Sequence, residues 1–357
     1  MAPAYALDAV DRLLQDLMNS KEPFGNKLIL CGGDFRQILP IVVRGSRVDI
    51  VLRCVKNSKV WKYCQTRKLS QNMRTGTDEI EFANWLKKLG DGELEINSDI
   101  SQYAVQIPSE CVLGENDDIV SFVYGNEALS TDNIKKFINS VILCPKNDSC
   151  AVINGKVLDK LAGQLKSYCS ADSIILEGDE KIEEYSLEFI NSLTPSGLPP
   201  HNLLLKEGTI VMLIRNLNAS RGLVNGTRLM IKRMHNNSLY CEVLTGQLRG
   251  ETLLIPRMDL TSSDSSLPFI IKRRQFPVKV AFAITINKCQ GQTFDKVGLY
   301  LPDVVFSHGQ LYVAFSRVRR KCDIKVKICK TRVQGIFSVD DQPKIYTSNV
   351  VFKEVLN

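Results

Sequence analysis

The chain has 357 residues, 44% of them hydrophobic and 24% charged, which argues for two or three domains with real cores and excludes a disordered tail, a collagen-like fibre or a coiled coil. Its longest apolar runs, such as residues 210–214 (IVMLI), are far too short to span a bilayer. The net charge of +7 is unevenly spread: residues 270–332 carry 14 Lys or Arg against three Asp, whereas residues 91–134 hold ten acidic side chains and no Lys or Arg.

A basic block of that kind suits a polyanion such as nucleic acid or nucleotide, although a solvated charged face fits it equally well. The acidic stretch reads as a connector. Eleven cysteines are irregularly spaced with no C-x-x-C pair, and only three histidines accompany them (His201, His235, His308). This pattern predicts reduced, mostly buried thiols and no protein-held zinc. No basic-then-apolar leader opens the chain. The expectation is an intracellular protein, nuclear rather than mitochondrial, and not secreted.

In chain order, residues 4–17 place Leu7, Val10, Leu14 and Leu17 at helical spacing, which predicts an amphipathic helix with a core-facing stripe. Residues 27–31 (KLILC) read as a buried strand ending in Gly32-Gly33-Asp34. Helices are expected over 48–54 and 78–89, a strand over 140–144, and a helix from there to about 161. Residues 195–200 (PSGLPP) form a rigid loop. Short strand-like runs follow at 209–214, 228–231, 239–244 and 251–255, a small β insertion. Strands and helices then alternate: 280–285, a helix after Gln290, 297–301, a helix at 309–318, and 324–328. The pattern predicts α/β layers with a parallel sheet.

Three strand-end constellations carry the chemistry. Residues 32–40 (GGDFRQILP) end a strand with Gly33, Asp34 and Gln37, where a neutral amide can hold a phosphate oxygen or an attacking water without adding negative charge. Residues 69–74 (LSQNMR) deliver Arg74 at a second strand end, and a guanidinium there suits phosphate. Each string alone also fits an ordinary turn or a surface ion pair. The third constellation, from Ala281 to Arg320, is the strongest. A strand ends in Thr285, Asn287 and Lys288, and Gln290, Gly291, Gln292 and Thr293 open an expected helix with anion-binding geometry. A later helix ends in Ser316-Arg317, the way an arginine finger is supplied on a rigid element.

The ordered strings GDFRQILP, LSQNMR, LCPKND, SGLPPHNLLLKEGTIVMLIRNL, GLVNGTRLMI, QFPVKVAFAITINKCQGQTFD and SHGQLYVAFSRV resemble the Pif-type (RecD-like) ATP-dependent DNA helicases, most closely the Helitron-associated subgroup. The resemblance implies an α/β fold of two RecA-like lobes, the first truncated at its N-terminus, with a small β-barrel inserted in the second. On that plan residues 1–95 are the remnant of the first lobe and 96–138 the acidic connector. Residues 139–231 and 275–335 form the second lobe, 232–274 the insertion and 336–357 a C-terminal tail. The implied activity is 5′-to-3′ DNA unwinding driven by ATP and Mg²⁺, on single-stranded DNA and duplex junctions, in repair, recombination, telomere maintenance or transposition. By position, Gly33, Asp34 and Gln37 match the γ-phosphate sensor, Arg74 the first-lobe arginine and Arg317 the second-lobe finger. Thr285, Asn287, Lys288 and Thr293 match DNA-facing positions, and Gly291 and Gln292 the adjoining nucleotide side.

Such chemistry also needs a G-x-x-x-x-G-K-[ST] loop and an acidic pair for Mg²⁺. Neither string is present. At the one Gly-Lys pair, Gly155-Lys156, Cys150 stands where the first glycine belongs and Val157 where Ser or Thr belongs. The expectation is the C-terminal part of a helicase core, inactive by itself. The alternative is a non-catalytic module that binds single strands through its basic region.

Overall fold

The computed structural model describes every residue except 1, 70–71, 131–132, 176–184, 196, 263–266, 340 and 357. The chain folds as two compact units of mixed α/β structure, each discontinuous in sequence: Met1–Ile119 with Leu143–Asn147 and Thr285–Asn357, and Val120–Ile142 with Asp148–Ile284. The expected second lobe is therefore divided between the two. No helix among the described residues is long and apolar enough to cross a membrane.

In the first unit, Lys296–Leu301 and Ile324–Ile328 pair in parallel, Val297 opposite Ile324 through Leu301 opposite Ile328. The short helix Gln310–Phe315 lies between them in sequence, the strand–helix–strand order that a parallel pair requires. Ser140–Cys144, a strand as expected whose residues are divided between the two units at Ile142, is buried at all five positions because it alternates nothing: Val, Ile, Leu and Cys occupy both faces. The helix Arg47–Leu52 starts at a reciprocal capping box of Ser46 and Asp49. Helix Ile80–Asp91 ends at Gly92 in the left-handed region and presents Phe82, Leu86 and Leu89 to the core.

Four expectations are corrected here. Residues 27–31 form no strand, and Leu28 and Leu30 are almost fully exposed. An apolar run of β-formers marks a strand only when neighbours complete its ladder, and no described strand pairs with it. Residues 64–69 and 72–73 are likewise not strand, while residues 70–71 of that string lie outside the described residues. In helix Ala4–Met18 the stripe is not buried: Val10 and Leu17 are exposed, and the buried positions are Ala4 and Asp11. Asp11 instead accepts from the Phe24 amide at 2.6 Å and from Gln15, fastening the turn that follows the helix. Finally, residues 290–295 are not helical; the helical turn precedes them, at Ile286–Cys289. Gly291, at φ 78°, breaks the chain there, so a helix N-terminus does not supply the anion-binding geometry at Gln290–Thr293.

The acidic stretch and the tail are also structured. Ala104–Gln106 pairs with Gln342–Ser348, which pairs in turn with Gly335–Val339 in an antiparallel sheet. Val350, Phe352 and Val355 join Leu39 and Cys54 in a core cluster. Val350, Phe352 and Val355 thus pack beside Leu39, in the chain that follows Gln37.

The second unit is dominated by antiparallel strands. Val278–Val280, Ile210–Leu213, Arg228–Met234, Ser238–Val243 and Thr252–Pro256 form a five-stranded sheet in that order. Met258–Thr261, Ile270–Gln275 and Ala171–Ile175 form a second sheet. The β region is larger than residues 232–274, and the expected boundary at 231/232 falls inside one strand. Leu213, Leu229, Ile231, Cys241, Val243 and Phe276 fill its core. A fully buried pair, Arg273 with Asp172 at 2.6 Å, staples Ile270–Gln275 to Ala171–Ile175, and Arg273 also donates to the Pro199 carbonyl.

Candidate functional site

Asp34 and Gln37 close a tight turn in the first unit, the Gln37 amide donating to the Asp34 carbonyl at 3.1 Å. The Asp34 carboxylate organises that turn. Its Oδ1 accepts from the Arg36 amide at 3.0 Å, and its Oδ2 lies 3.5 Å from Gln37 Nε2. Oδ2 also accepts from the Tyr312 hydroxyl at 3.0 Å. Gln37 Oε1 faces Gln290 Nε2 at 3.5 Å, a long contact that brings the two strings together.

Several further contacts hold this turn from behind. Arg36 makes a bidentate ion pair with Asp91, at 2.6 and 3.1 Å, at the end of helix Ile80–Asp91. That hydrogen bond is the main reason its guanidinium is held above the ordinary arginine range. His308 Nδ1 accepts from the Phe352 amide at 2.8 Å, so Nε2 carries the proton and donates to the Phe35 carbonyl at 2.8 Å. Burial, joined by the nearby Arg47, pushes His308 below its usual range. Gly309 follows at φ 70°, and a Cβ there would run into the Arg36 carbonyl oxygen.

Gly309 begins the helix Gln310–Phe315, whose far end carries Arg317. The Arg317 guanidinium is 1% exposed and points inward. It donates to the carbonyls of Val313 (2.8 Å), Gln292 (2.9 Å) and Cys289 (3.4 Å) and to Ser316 Oγ (2.7 Å). Arg317 therefore fixes the chain around Gly291. Burial lowers its pKa, and the like charge of Arg74 adds to that. Arg74 is exposed at its backbone turn and reaches the Ser316 carbonyl with Nη1 at 2.7 Å. Asp34, Gln37, Arg74 and Arg317, drawn from strings as much as 280 residues apart, are thus joined through one short helix.

The remaining predicted residues sit around this locus. Gly33 is exposed with open space beside it. Asn287 accepts from Gln310 Nε2 at 2.9 Å, and Gln292 Nε2 donates to the Lys288 carbonyl at 3.2 Å. Lys288, Gly291 and Thr293 are exposed and Thr285 is half-buried. Gln290 belongs to the string read from sequence as anion-binding, whereas nothing in the sequence marks Tyr312, Asp91, His308, Gly309 and Gln310 as site residues. The string SHGQLYVAFSRV contains four of them, but nothing in its spacing said which side chains face the Asp34 turn.

A divalent cation does not fit these side chains. Among the described residues no group of three His, Cys, Asp or Glu converges to hold a metal ion. Asp34 already accepts from Tyr312 and the Arg36 amide and lies beside the Arg36 guanidinium.

Residues 1–99 match the family described as PIF1-like helicase, and residues 188–234 match the DNA helicase Pif1 2B domain. The ATP-dependent DNA helicase PIF1 of Xenopus laevis is 28% identical over 352 residues, covering 98% of this chain and 46% of the relative. The human enzyme of the same name is 28% identical over 336 residues, covering 91% of this chain and 44% of the relative. These matches support homology to the Pif1 helicases. The chain spans about half the length of these Pif1 relatives. A solved structure of Bacteroides Pif1 bound to single-stranded DNA covers 93% of this chain and 69% of its own, at a TM-score of 0.63 and 24% identity. Pif1 from Candida albicans superposes at 0.59 with 22% identity. At those identities the likeness is one of fold: a mixed α/β fold consistent with the RecA-like domains of Pif1 structures.

Proposed function

We propose that this chain carries the γ-phosphate-sensing and arginine side of an ATP-driven DNA helicase of the Pif1 type, with two RecA-like lobes and a β-barrel insertion. Its kinship to the Helitron-associated subgroup rests on the seven sequence strings. Gln37 is the sensor, held in place by Asp34, and Arg74 and Arg317 stabilise charge on a transferring phosphoryl group. Thr285, Asn287, Lys288 and Thr293 face single-stranded DNA. The observation that carries this reading is the convergence of Asp34–Gln37, Arg74 and Arg317 on the helix Gln310–Phe315. As the chain stands, Arg317 is engaged with its own backbone. Engaging a phosphate requires the guanidinium to exchange carbonyl partners for phosphate oxygens, which frees the segment Cys289–Gln292 beside Lys288. Nucleotide state and DNA grip are coupled by that exchange.

The sequence holds no G-x-x-x-x-G-K-[ST] string, so the loop that cradles the β- and γ-phosphates is not among these residues. Alone, the chain is expected to bind single strands and to hydrolyse ATP at the background rate. Binding should weaken with salt, and Lys288→Ala should flatten the slope of log K against log salt by about 0.7, the release accompanying one single-strand phosphate contact. An unchanged slope would remove Lys288 from the DNA face. DNA-stimulated turnover by the chain alone would show that its own residues complete the phosphate site.

A further inference from the structure

Tyr312 has no role in the assignments above, yet it occupies the centre of the locus. Its hydroxyl is the one donor that ties the helix Gln310–Phe315 to the Asp34 carboxylate. The same carboxylate receives the Arg36 amide and lies next to Gln37 Nε2. Holding Nε2 toward Asp34 leaves Gln37 Oε1 turned toward Gln290. The tyrosine ring is itself confined. A Cβ on Gly90 would stand 2.9 Å from Tyr312 Cδ2 and 2.6 Å from Arg36 Cδ, so helix Ile80–Asp91 gives up a side chain at the point where both pass. Four residues beyond Tyr312 in the same helix and its cap, Ser316 receives Arg74, and Arg317 grips Cys289 and Gln292.

We infer that Tyr312 is a positioning residue: through Asp34 it sets the orientation of the Gln37 amide, and through its helix it keeps that amide in register with Arg317 and the Cys289–Gln292 segment. The inference rests on the proposed reading for the statement that Gln37 meets phosphate, but the mechanical link is a property of this chain alone. Without that donor the carboxylate is anchored through Oδ1, by the Arg36 amide, and Oδ2 is left with the 3.5 Å contact to Gln37 Nε2. The tyrosine adds a second anchor at Oδ2, the oxygen beside Gln37. Burial and the adjoining carboxylate push the Tyr312 hydroxyl up to about 12, so the proton is present throughout the working range of any DNA enzyme.

The test uses the full chain with Tyr312→Phe, which keeps the ring between Gly90 and Arg36 and removes only the donor. Amide hydrogen exchange is read residue by residue, with Tyr300→Phe, on a strand away from the turn, as the comparison. The expected result is roughly tenfold faster exchange at Arg36 and Gln37 and at Gln292. The interior amides of helix Ile80–Asp91 should be unchanged. Exchange at Gln37 and Gln292 equal to wild type overturns the inference, as does acceleration spread evenly over the unit, which marks a merely structural tyrosine. Single-strand binding measured on the same samples separates the two claims: wild-type chain that fails to bind contradicts the proposed function, whereas the exchange pattern decides the role of Tyr312 in either case.

Discussion

Gly309→Ala tests the packing of the arginine helix on the Asp34 turn. Gly309 sits at φ 70°, where a Cβ costs about 1–2 kcal/mol from local sterics alone. In addition, that Cβ would overlap the Arg36 carbonyl oxygen and stand 3.0 Å from the carbonyl carbons of Arg36 and Gln37. Backbone cannot swing aside as a side chain can, so relief requires the helix Gln310–Phe315 to move off the turn, at a further ~1–3 kcal/mol. The expected total, about 2–5 kcal/mol, is a large fraction of the ~5–15 kcal/mol that keeps a domain folded. Gly291 provides the matched control: its φ is 78°, but nothing lies within 4 Å of its Cβ position. Gly291→Ala should cost only the local part, about 1–2 kcal/mol. Urea unfolding followed by tryptophan fluorescence reads the right unit, because Trp61 packs on Phe35 at 5.9 Å and Trp85 on Phe315 at 4.9 Å. With a urea slope of about 2 kcal/mol per molar, an excess of 2 kcal/mol for Gly309→Ala shifts its midpoint about 1 M below that of Gly291→Ala. Equal midpoints would refute the close approach.

Two further outcomes follow from buried polar groups. His308 is held neutral by burial and by its two hydrogen bonds, so its folded pKa lies below its unfolded value near 6.5. The unfolded chain then binds the extra proton first. Stability should be fully present above about pH 6.5 and decline as the pH falls below it, by at most about 1.4 kcal/mol per unit for this one group. Replacing His308 with Gln should flatten that part of the profile in urea melts between pH 7.5 and 5.5; an unaltered profile would discharge His308. In the second unit, Arg273→Met leaves Asp172 buried without its cation, and should cost about 3–5 kcal/mol by circular dichroism, with much of that recovered in Arg273→Met/Asp172→Leu. A single-variant loss below about 1 kcal/mol would show that the pair is not sealed from water.

Much of the local structure was legible in the sequence. Ser140–Cys144 and Ile324–Ile328 are strands at the expected residues, and the antiparallel runs after residue 200 announce themselves by alternation and turn residues. Local pattern is silent about partners, and there sequence and structure differ. KLILC has strand composition, but strand formation depends on what else is present to pair with it. The stripe of helix Ala4–Met18 has the right period, yet tertiary contacts bury Asp11 instead of Val10 and Leu17. The expected helix after Gln290 failed because Gly291 takes positive φ and Arg317 grips the carbonyls of Cys289 and Gln292, a contact 25 residues long in sequence.

The candidate site shows the same division. Residue types suited to phosphate, such as Gln37, Arg74 and Arg317, are readable from chemistry and order. Their supports are not, because the pairs Tyr312–Asp34, Arg36–Asp91 and His308–Phe35 span 278, 55 and 273 positions. Gly90 and Gly309 are legible only once the atoms they make room for are known.

The central claim is that Arg317 and the Asp34 turn form the phosphate-responsive side of a DNA-stimulated ATPase. The most direct measurement appends to this chain a segment bearing a G-x-x-x-x-G-K-[ST] loop and an acidic pair and follows phosphate release with and without single-stranded DNA. The account predicts DNA-stimulated turnover that Arg317→Ala lowers by roughly 10³–10⁵-fold while single-strand binding persists. Turnover that Arg317→Ala leaves unchanged would contradict it.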